Sequence, residues 1–558
     1  MDIEQVKSDE RYLRLLSDKF PDSNSATTEI INLQAIMSLP KGTEHFVSDL
    51  HGASTEFIHM VKNASGVIRR KVDDIYGDTL SEQEKRALCA LIYYPQERLE
   101  MERSYYDGVA TDMPRYDAQP PTLTDFYRRR LHQVVEVARA VTVKYTRSKV
   151  RKLLLKDYAY VIEELLHEST TEKDRTRYYE AIINSIIDTG KAEKHITAIC
   201  YLIHWLAIDK LHIIGDIYDR GPGAEKIMEV LSTYHNFDVQ WGNHDIEWMG
   251  AAAGNWALIA TVLRVSIRYV NIETLEEGYG INLLPLATFA LDTYGNDDCK
   301  VFQTKDFENN PRLKRSAALM AKMHKAISII QFKLEGQIIR RHPEYNMQDR
   351  LLLDKIDFQK NTVTIGDKSY PLLDGNLPTI DINDPYTLSP EEQALMEQLA
   401  RSFRKSERLQ KHLQVLYQRG SLFLCHNNFL LYHAAIPMTA DGEFMEVDVC
   451  GKRVKGKALM QRVDEVIRDA YYGRGRTNTY RDSLDYMWYL WCGEGSPLYN
   501  KDKMTTFERY FVEDKNVWKE TKGAYYELAN RKDICEKILI EFGIDPVEGR
   551  IVNGHIPV

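Results

Sequence analysis

Apolar residues recur along this chain at two spacings, and the spacings assign its elements. Leu131, Val134, Val135, Ala138 and Val141 share one helical face inside a mainly helical tract from about 55 to 208. The loop YDAQPPTL at 116–123 divides that tract. Before it, 1–38 reads as two helices and 44–48 as a short strand running into Asp49. After it, Leu211–Gly215 (LHIIG) reads as a strand. Ile227, Val230, Leu231 and Tyr234 mark one face of a helix over 224–234, and DVQW at 238–241 reads as a second strand. Strand, helix and strand at this spacing predict a parallel βαβ unit with a right-handed crossover. Residues 255–410 turn helical again around a hairpin in TVTIGDKSYPL, with Gly366-Asp367 at its turn. SLFLCHNNFLLYH (421–433) predicts two strands about an Asn turn, and RIVNGHIPV a last strand ending in Gly-His.

These elements divide the chain into five stretches: N-terminal helices and a first core strand (1–54), a helical insertion (55–208), a core βαβ unit (209–254), a second mainly helical insertion (255–410), and the second half of the core (411–558). A hydrophobic share of 44% with 28% charged residues is that of a globular protein, not a disordered one. The net charge of −9 argues against a nucleic-acid partner. Seven cysteines without a CxxC pair read as reduced thiols, which with the charged N-terminus points to the cytoplasm. The most apolar run, HITAICYLIHWLAIDKLHIIGDIYD, is interrupted by His204, Asp209 and Lys210, so no membrane span is expected. His204 and His212 read as residues flanking a strand that bond locally, and His426 as a turn residue.

Chemistry gathers at strand ends. Asp49-Leu50-His51, Gly215-Asp216-Ile217-Tyr218-Asp219-Arg220, Gly242-Asn243-His244-Asp245, Tyr432-His433 and Asn553-Gly554-His555 each follow a predicted strand. Strand side chains alternate, so Asp-x-His presents both side chains to one side, where they can grip one ion. Carboxylates, imidazoles and an amide oxygen suit Mn²⁺, Fe²⁺ or Zn²⁺, and the set lacks the thiolates of a structural zinc site. Two such ions about 3.5–4 Å apart can hold a hydroxide and clamp both oxygens of an in-line displacement. Arg220 offers a fork that matches phosphate oxygens, and His244, oriented by Asp219, a proton for a leaving alkoxide.

DLH, GDIYDRG, GNHD, a later lone His and a final GH resemble the metallophosphoesterase (calcineurin-like) superfamily. The resemblance implies an α/β fold, a two-sheet αββα sandwich carrying large helical insertions. It implies that Asp49 and His51 bind one metal, that Asp216 bridges, and that Asn243, His433 and His555 bind the second. Arg220 would hold phosphate, with His244 as proton donor and Asp219 as its orienter. Asp49 and Asp216 stand 167 positions apart, much farther than in compact members. FVSDLHGASTEF, IIGDIYDRGPGAEKIMEVL, QWGNHDIEWMGAAAGN, LYHAAIPM and LWCGEGSPL resemble the class III, or firmicute-type, fructose-1,6-bisphosphatases from about residue 8 onward. That likeness implies two divalent metal ions, Mn²⁺, release of the 1-phosphate of fructose 1,6-bisphosphate in gluconeogenesis, and control by small anionic metabolites.

A bisphosphate needs a second anion site. Arg474, Arg476 and Arg481 in YYGRGRTNTYRDSLDYMW are candidates, as are Lys501 and Lys503, and the sequence does not choose among them. The basic stretch over 128–156 reads either as an anion or partner surface or as the wet face of long helices. A phosphoprotein or dinucleotide-polyphosphate phosphatase on the same site, and a non-catalytic binding protein, are the competing functions. The oligomeric state stays open.

Overall fold

A computed structural model describes residues 9–109, 120–167, 173–304, 316–474, 476 and 479–556. Residues 116–119 of the expected dividing loop lie outside the described residues. The chain forms two compact units, one of Met1–His45 with His59–Lys210, the other of Phe46–Ile58 with Leu211–Val558. No described helix is long and apolar enough to cross a membrane.

The first unit is helical where described. It opens with the two expected helices, Glu10–Lys19 and Ser23–Met37. Helix Leu123–Thr142 buries Leu131, Val134, Val135, Ala138 and Val141, as its 3.6-residue spacing requires. Several cations of the basic stretch are engaged within the unit: Arg129 with Glu84, Lys149 with Asp209, and Arg139 with the Leu165 carbonyl. His204 does not flank a strand. It lies in helix Ala192–Ala207, because the apolar run continues at helical spacing to residue 207 before the strand begins. Burial holds its pKa down to about 4.

The sheets fall in the second unit, apart from Glu44, His45 and Lys210 at the starts of two strands. β1 (Glu44–Val47), β2 (Lys210–Ile213), β3 (Phe237–Gln240) and β7 (Gly420–Ser421) order as β1-β2-β3-β7. β2 and β3 are parallel, with Leu211 opposite Phe237 and Ile213 opposite Val239, and helix Ala224–Thr233 connects them. The expected βαβ unit is therefore present. β2 ends two residues early because Gly215 turns into the left-handed region, at φ 78°. β4 (Ile356–Asp357), β5 (Thr362–Ile365) and β6 (Lys368–Pro371) form a small antiparallel sheet that contains the expected hairpin. β8 (Phe423–His426) and β9 (Phe429–Tyr432) form another hairpin, whose turn residues Asn427 and Asn428 both take positive φ. β10 (Val447–Val449) pairs β11 (Lys452–Val454), and β12 (Arg550–Val552) adds to β9 in parallel. His212, inside β2, bonds Asp238 Oδ1 at 2.9 Å and stacks on Phe46, whose ring also meets Phe429.

Backbone contacts join the first two strand-end loops. His51 N–H donates to the Asp216 carbonyl at 2.8 Å, Gly52 N–H to Ile217 at 2.9 Å, and Gly221 N–H back to His51 at 2.9 Å. A Cβ on Gly52 would lie 2.1 Å from the Gly221 carbonyl oxygen, and Gly52 sits at φ +69°. Gly52→Ala is expected to force these loops apart. The cost should be about 2–4 kcal/mol, read as a lowered thermal midpoint with reduced metal content.

Candidate metal centre

Five loops deliver their polar ends to one place. Asp216 is buried, and its Oδ2 lies 3.7 Å from His51 Nε2 and 3.3 Å from His433 Nε2. His51 Nε2 is 4.0 Å from Asp49 Oδ1, and Asn243 Oδ1 is 3.1 Å from His555 Nδ1. His51, Asp216 and His244 form one group able to hold an ion, and Asp216, His433 and His555 another, so the two groups share Asp216.

The donors are presented as ligands need to be. His433 Nδ1 lies 2.7 Å from the Ile214 carbonyl and His51 Nδ1 3.2 Å from the Tyr218 carbonyl. A carbonyl only accepts, so each Nδ1 donates, and Nε2 is the ring atom that faces Asp216. His433 Nε2 is buried and makes no hydrogen bond despite that 3.3 Å approach; the alignment is wrong for a bond to Asp216 but open to a third atom between them. Backbone amides take the outer carboxylate oxygens. His244 N–H donates to Asp216 Oδ1 and His555 N–H to Asp49 Oδ2, each at 3.1 Å. These nitrogen and oxygen donors fit a hard-to-borderline divalent ion.

Charge follows the same arrangement. Burial works against ionised Asp216, yet His433, His244 and His51 together hold its pKa far below the usual carboxylate range. Burial also opposes charge on His433, but Asp216 outweighs it and lifts the pKa to about 9. Burial, then the His433 charge, pushes His555 down to about 3, and burial lowers His51. A cation bound beside Asp216 would displace the His433 proton, so its affinity rises with pH.

Beside the cluster, His244 Nδ1 bonds Asp219 Oδ2 at 2.8 Å, while Trp248 Nε1–H donates to Asp219 Oδ1 at 2.8 Å. With Nδ1 engaged, Nε2 is the ring atom left to act on a substrate. Burial disfavours the imidazolium, but Asp216 and Asp219 raise its pKa above the ordinary value, so it holds a proton to donate. The Trp491 and His244 rings meet at 79°, with 5.1 Å between centroids. Arg220 is exposed on the same loop as Asp219, and its charge acts on both His51 and His244.

Asp49, His51, Asp216, Asp219, Arg220 and His555 all occupy the left-handed region, with φ between 42° and 69°. Non-glycine residues there store strain, and its concentration in one cluster marks a functional site.

The three arginines do not join this group. Arg481 starts helix Tyr480–Cys492, ten residues before Trp491, which places it about 15 Å along the axis from the His244 end. Tyr480 meets the Ala253 carbonyl, at the far end of helix Asn243–Ala253 from His244, and feels the charge of Arg474. Arg476 lies in the same turn, bonding back to Gly473.

Sequence reasoning missed Asp245. This buried carboxylate accepts from Asp216 N–H at 2.9 Å, Ile217 N–H at 2.8 Å and Gly242 N–H at 2.9 Å, clasping two ligand loops. Its place three residues after Gly242 at a helix start was the available signal. Asp245→Ala leaves three buried donors without a partner. It is expected to cost about 3–5 kcal/mol and to lower metal stoichiometry, measured by denaturant unfolding and elemental analysis.

Comparison with known proteins agrees with these motifs. The sequence matches the family described as Firmicute fructose-1,6-bisphosphatase over residues 11–558. Curated relatives named fructose-1,6-bisphosphatase class 3 include one from Bacteroides fragilis, 52% identical over 556 residues, covering 100% of this chain and 82% of the relative. Another, from Parabacteroides distasonis, is 52% identical over 556 residues, covering 100% of this chain and 81% of the relative. A third, from Clostridium botulinum, is 51% identical over 553 residues, covering 99% and 80%. No solved structure matches the chain. The chain belongs to the class 3, firmicute-type fructose-1,6-bisphosphatase family.

Proposed function

We propose that this chain hydrolyses the 1-phosphate of fructose 1,6-bisphosphate, giving fructose 6-phosphate and phosphate, as gluconeogenesis requires. The observation that carries the reading is two histidine sets meeting on one buried carboxylate, Asp216, beside the His244–Asp219 couple. The names of the half-identical relatives supply the substrate. In this reading the site is a metallophosphoesterase centre on an αββα sandwich, and the protein works in the cytoplasm.

Asp49, His51 and Asp216 would hold one divalent ion, and Asp216, Asn243, His433 and His555 the second. When bound, two Mn²⁺ ions would supply Lewis-acid polarisation of the phosphate and a water of lowered pKa. The chain's own groups do the rest. Arg220 forks onto the phosphate oxygens. His244 passes its Nε2 proton to the sugar oxygen at C1 as the phosphorus–oxygen bond breaks. Asp219 keeps the ring aimed and stabilises its imidazolium form, and Trp248 keeps Asp219 aimed. Trp491 screens one edge of His244 from water.

The test is phosphate release from fructose 1,6-bisphosphate by chelator-stripped protein, with and without Mn²⁺. Release only with metal, and none from phosphopeptide or dinucleotide polyphosphate, is expected. His244→Asn should lower kcat by about 10²–10⁴ while keeping its metal. Release from phosphopeptide but not from the sugar bisphosphate would overturn the substrate assignment.

A further inference from the structure

Resting on that bisphosphatase reading, we propose that Lys501 and Lys522 form the subsite for the phosphate that is not cut. The two lysines sit directly opposite one another in an isolated antiparallel bridge. Asp502 N–H donating to Thr521 at 3.0 Å and Gly523 N–H donating to Asn500 at 2.8 Å hold the bridge from both sides. Residues paired this way share one face, with Cβ atoms about 5 Å apart, and like charges so placed repel. A protein of net charge −9 keeps this repulsive pair beside its metal-capable cluster.

The local carboxylates neutralise it only in part. Glu520 Oε2 lies 3.3 Å from Lys501 Nζ, but Oε1 of the same carboxylate already accepts from Thr505 N–H, the Thr505 hydroxyl and Arg509. Lys522 is exposed, and no carboxylate among the described residues lies within ion-pair distance of it. One negative charge thus serves Lys501 and Arg509 together, and Lys522 is left for an anion from outside.

The pair is tied to the cluster through aromatic rings. Lys522 Nζ lies 5.9 Å from the centroid of Tyr526, and Tyr526 stacks on the His555 imidazole, 6.4 Å between centroids at 24°. The Lys501 charge also reaches His555, adding to the effects of burial and of His433 there. The Arg220 charge acts on His51 and His244 and the Lys501 charge on His555, and these histidines belong to the two different groups that share Asp216. A substrate phosphate at Arg220 and a second at the lysine bridge would lay the sugar across the cluster. Arg474, Arg476 and Arg481, at the remote end of helix Tyr480–Cys492, are not needed for it.

The experiment compares kcat/KM for fructose 1,6-bisphosphate with that for fructose 1-phosphate in the wild-type protein, in K501Q, in K522Q and in the double variant. Two charge-assisted contacts to a phosphate predict a fall in the bisphosphate-to-monophosphate ratio of about 10–100-fold in the double variant. The fall should be carried by KM for the bisphosphate, and the K501R/K522R variant should recover most of it. A ratio within about twofold of wild type, or equal losses on both substrates, would overturn the subsite and leave the bisphosphatase reading standing. Wild-type protein that releases no phosphate from fructose 1,6-bisphosphate would overturn the reading itself, and the subsite with it.

Discussion

One buried carboxylate organises this molecule. Removing a charge such as that of Asp216 from water costs several kcal/mol even after relaxation. His51 and His433, at 3.7 and 3.3 Å, and the His244 amide offset that cost from three separate loops. Removing any one of those loops would take away part of that compensation. The carboxylate is thus both the shared corner of two metal-capable groups and a constraint on how strand ends from distant parts of the chain come together.

The surrounding backbone is held in place at a cost. Six non-glycine residues of the site are left-handed, at about 1–2 kcal/mol each. Their sum is comparable with the whole net stability of a typical domain, about 5–15 kcal/mol. Such a conformation persists only where other contacts over-determine it. Asp245 supplies three hydrogen bonds, two of them across to the Asp216 loop, and helix Asn243–Ala253, buried along its whole length, provides the rigid seat. The glycine contact between residues 52 and 221 closes the remaining gap. Strain placed here and stability placed in the helical surroundings are two parts of one design.

The metal-capable strand ends were legible because their signal is local: a short apolar run, a glycine or polar stop, then metal-capable side chains at period two. The βαβ unit and both hairpins follow from equally local patterns. What the residues could not reveal alone depended on distant pairing. Asp245 looks like an ordinary first-turn acid until its three amide partners, two of them nearly thirty residues away, are in view. The opposition of Lys501 and Lys522 exists only because two loops meet in a bridge. The arginines at 474, 476 and 481 lie before or at the start of helix Tyr480–Cys492, a helix length from Trp491, and that separation is not visible in the sequence. His204 misled for a similar reason, since an apolar run does not announce where a helix gives way to a strand.

The central claim is that Asp216 joins two metal sites. Its most direct test is the metal content of Asp216→Asn beside the wild-type protein, measured by elemental analysis after loading with Mn²⁺ and removal of excess. Two ions per wild-type chain, with one or none retained in the variant and its phosphate release lost, is the result this account predicts. Two ions retained by Asp216→Asn with turnover intact would contradict it.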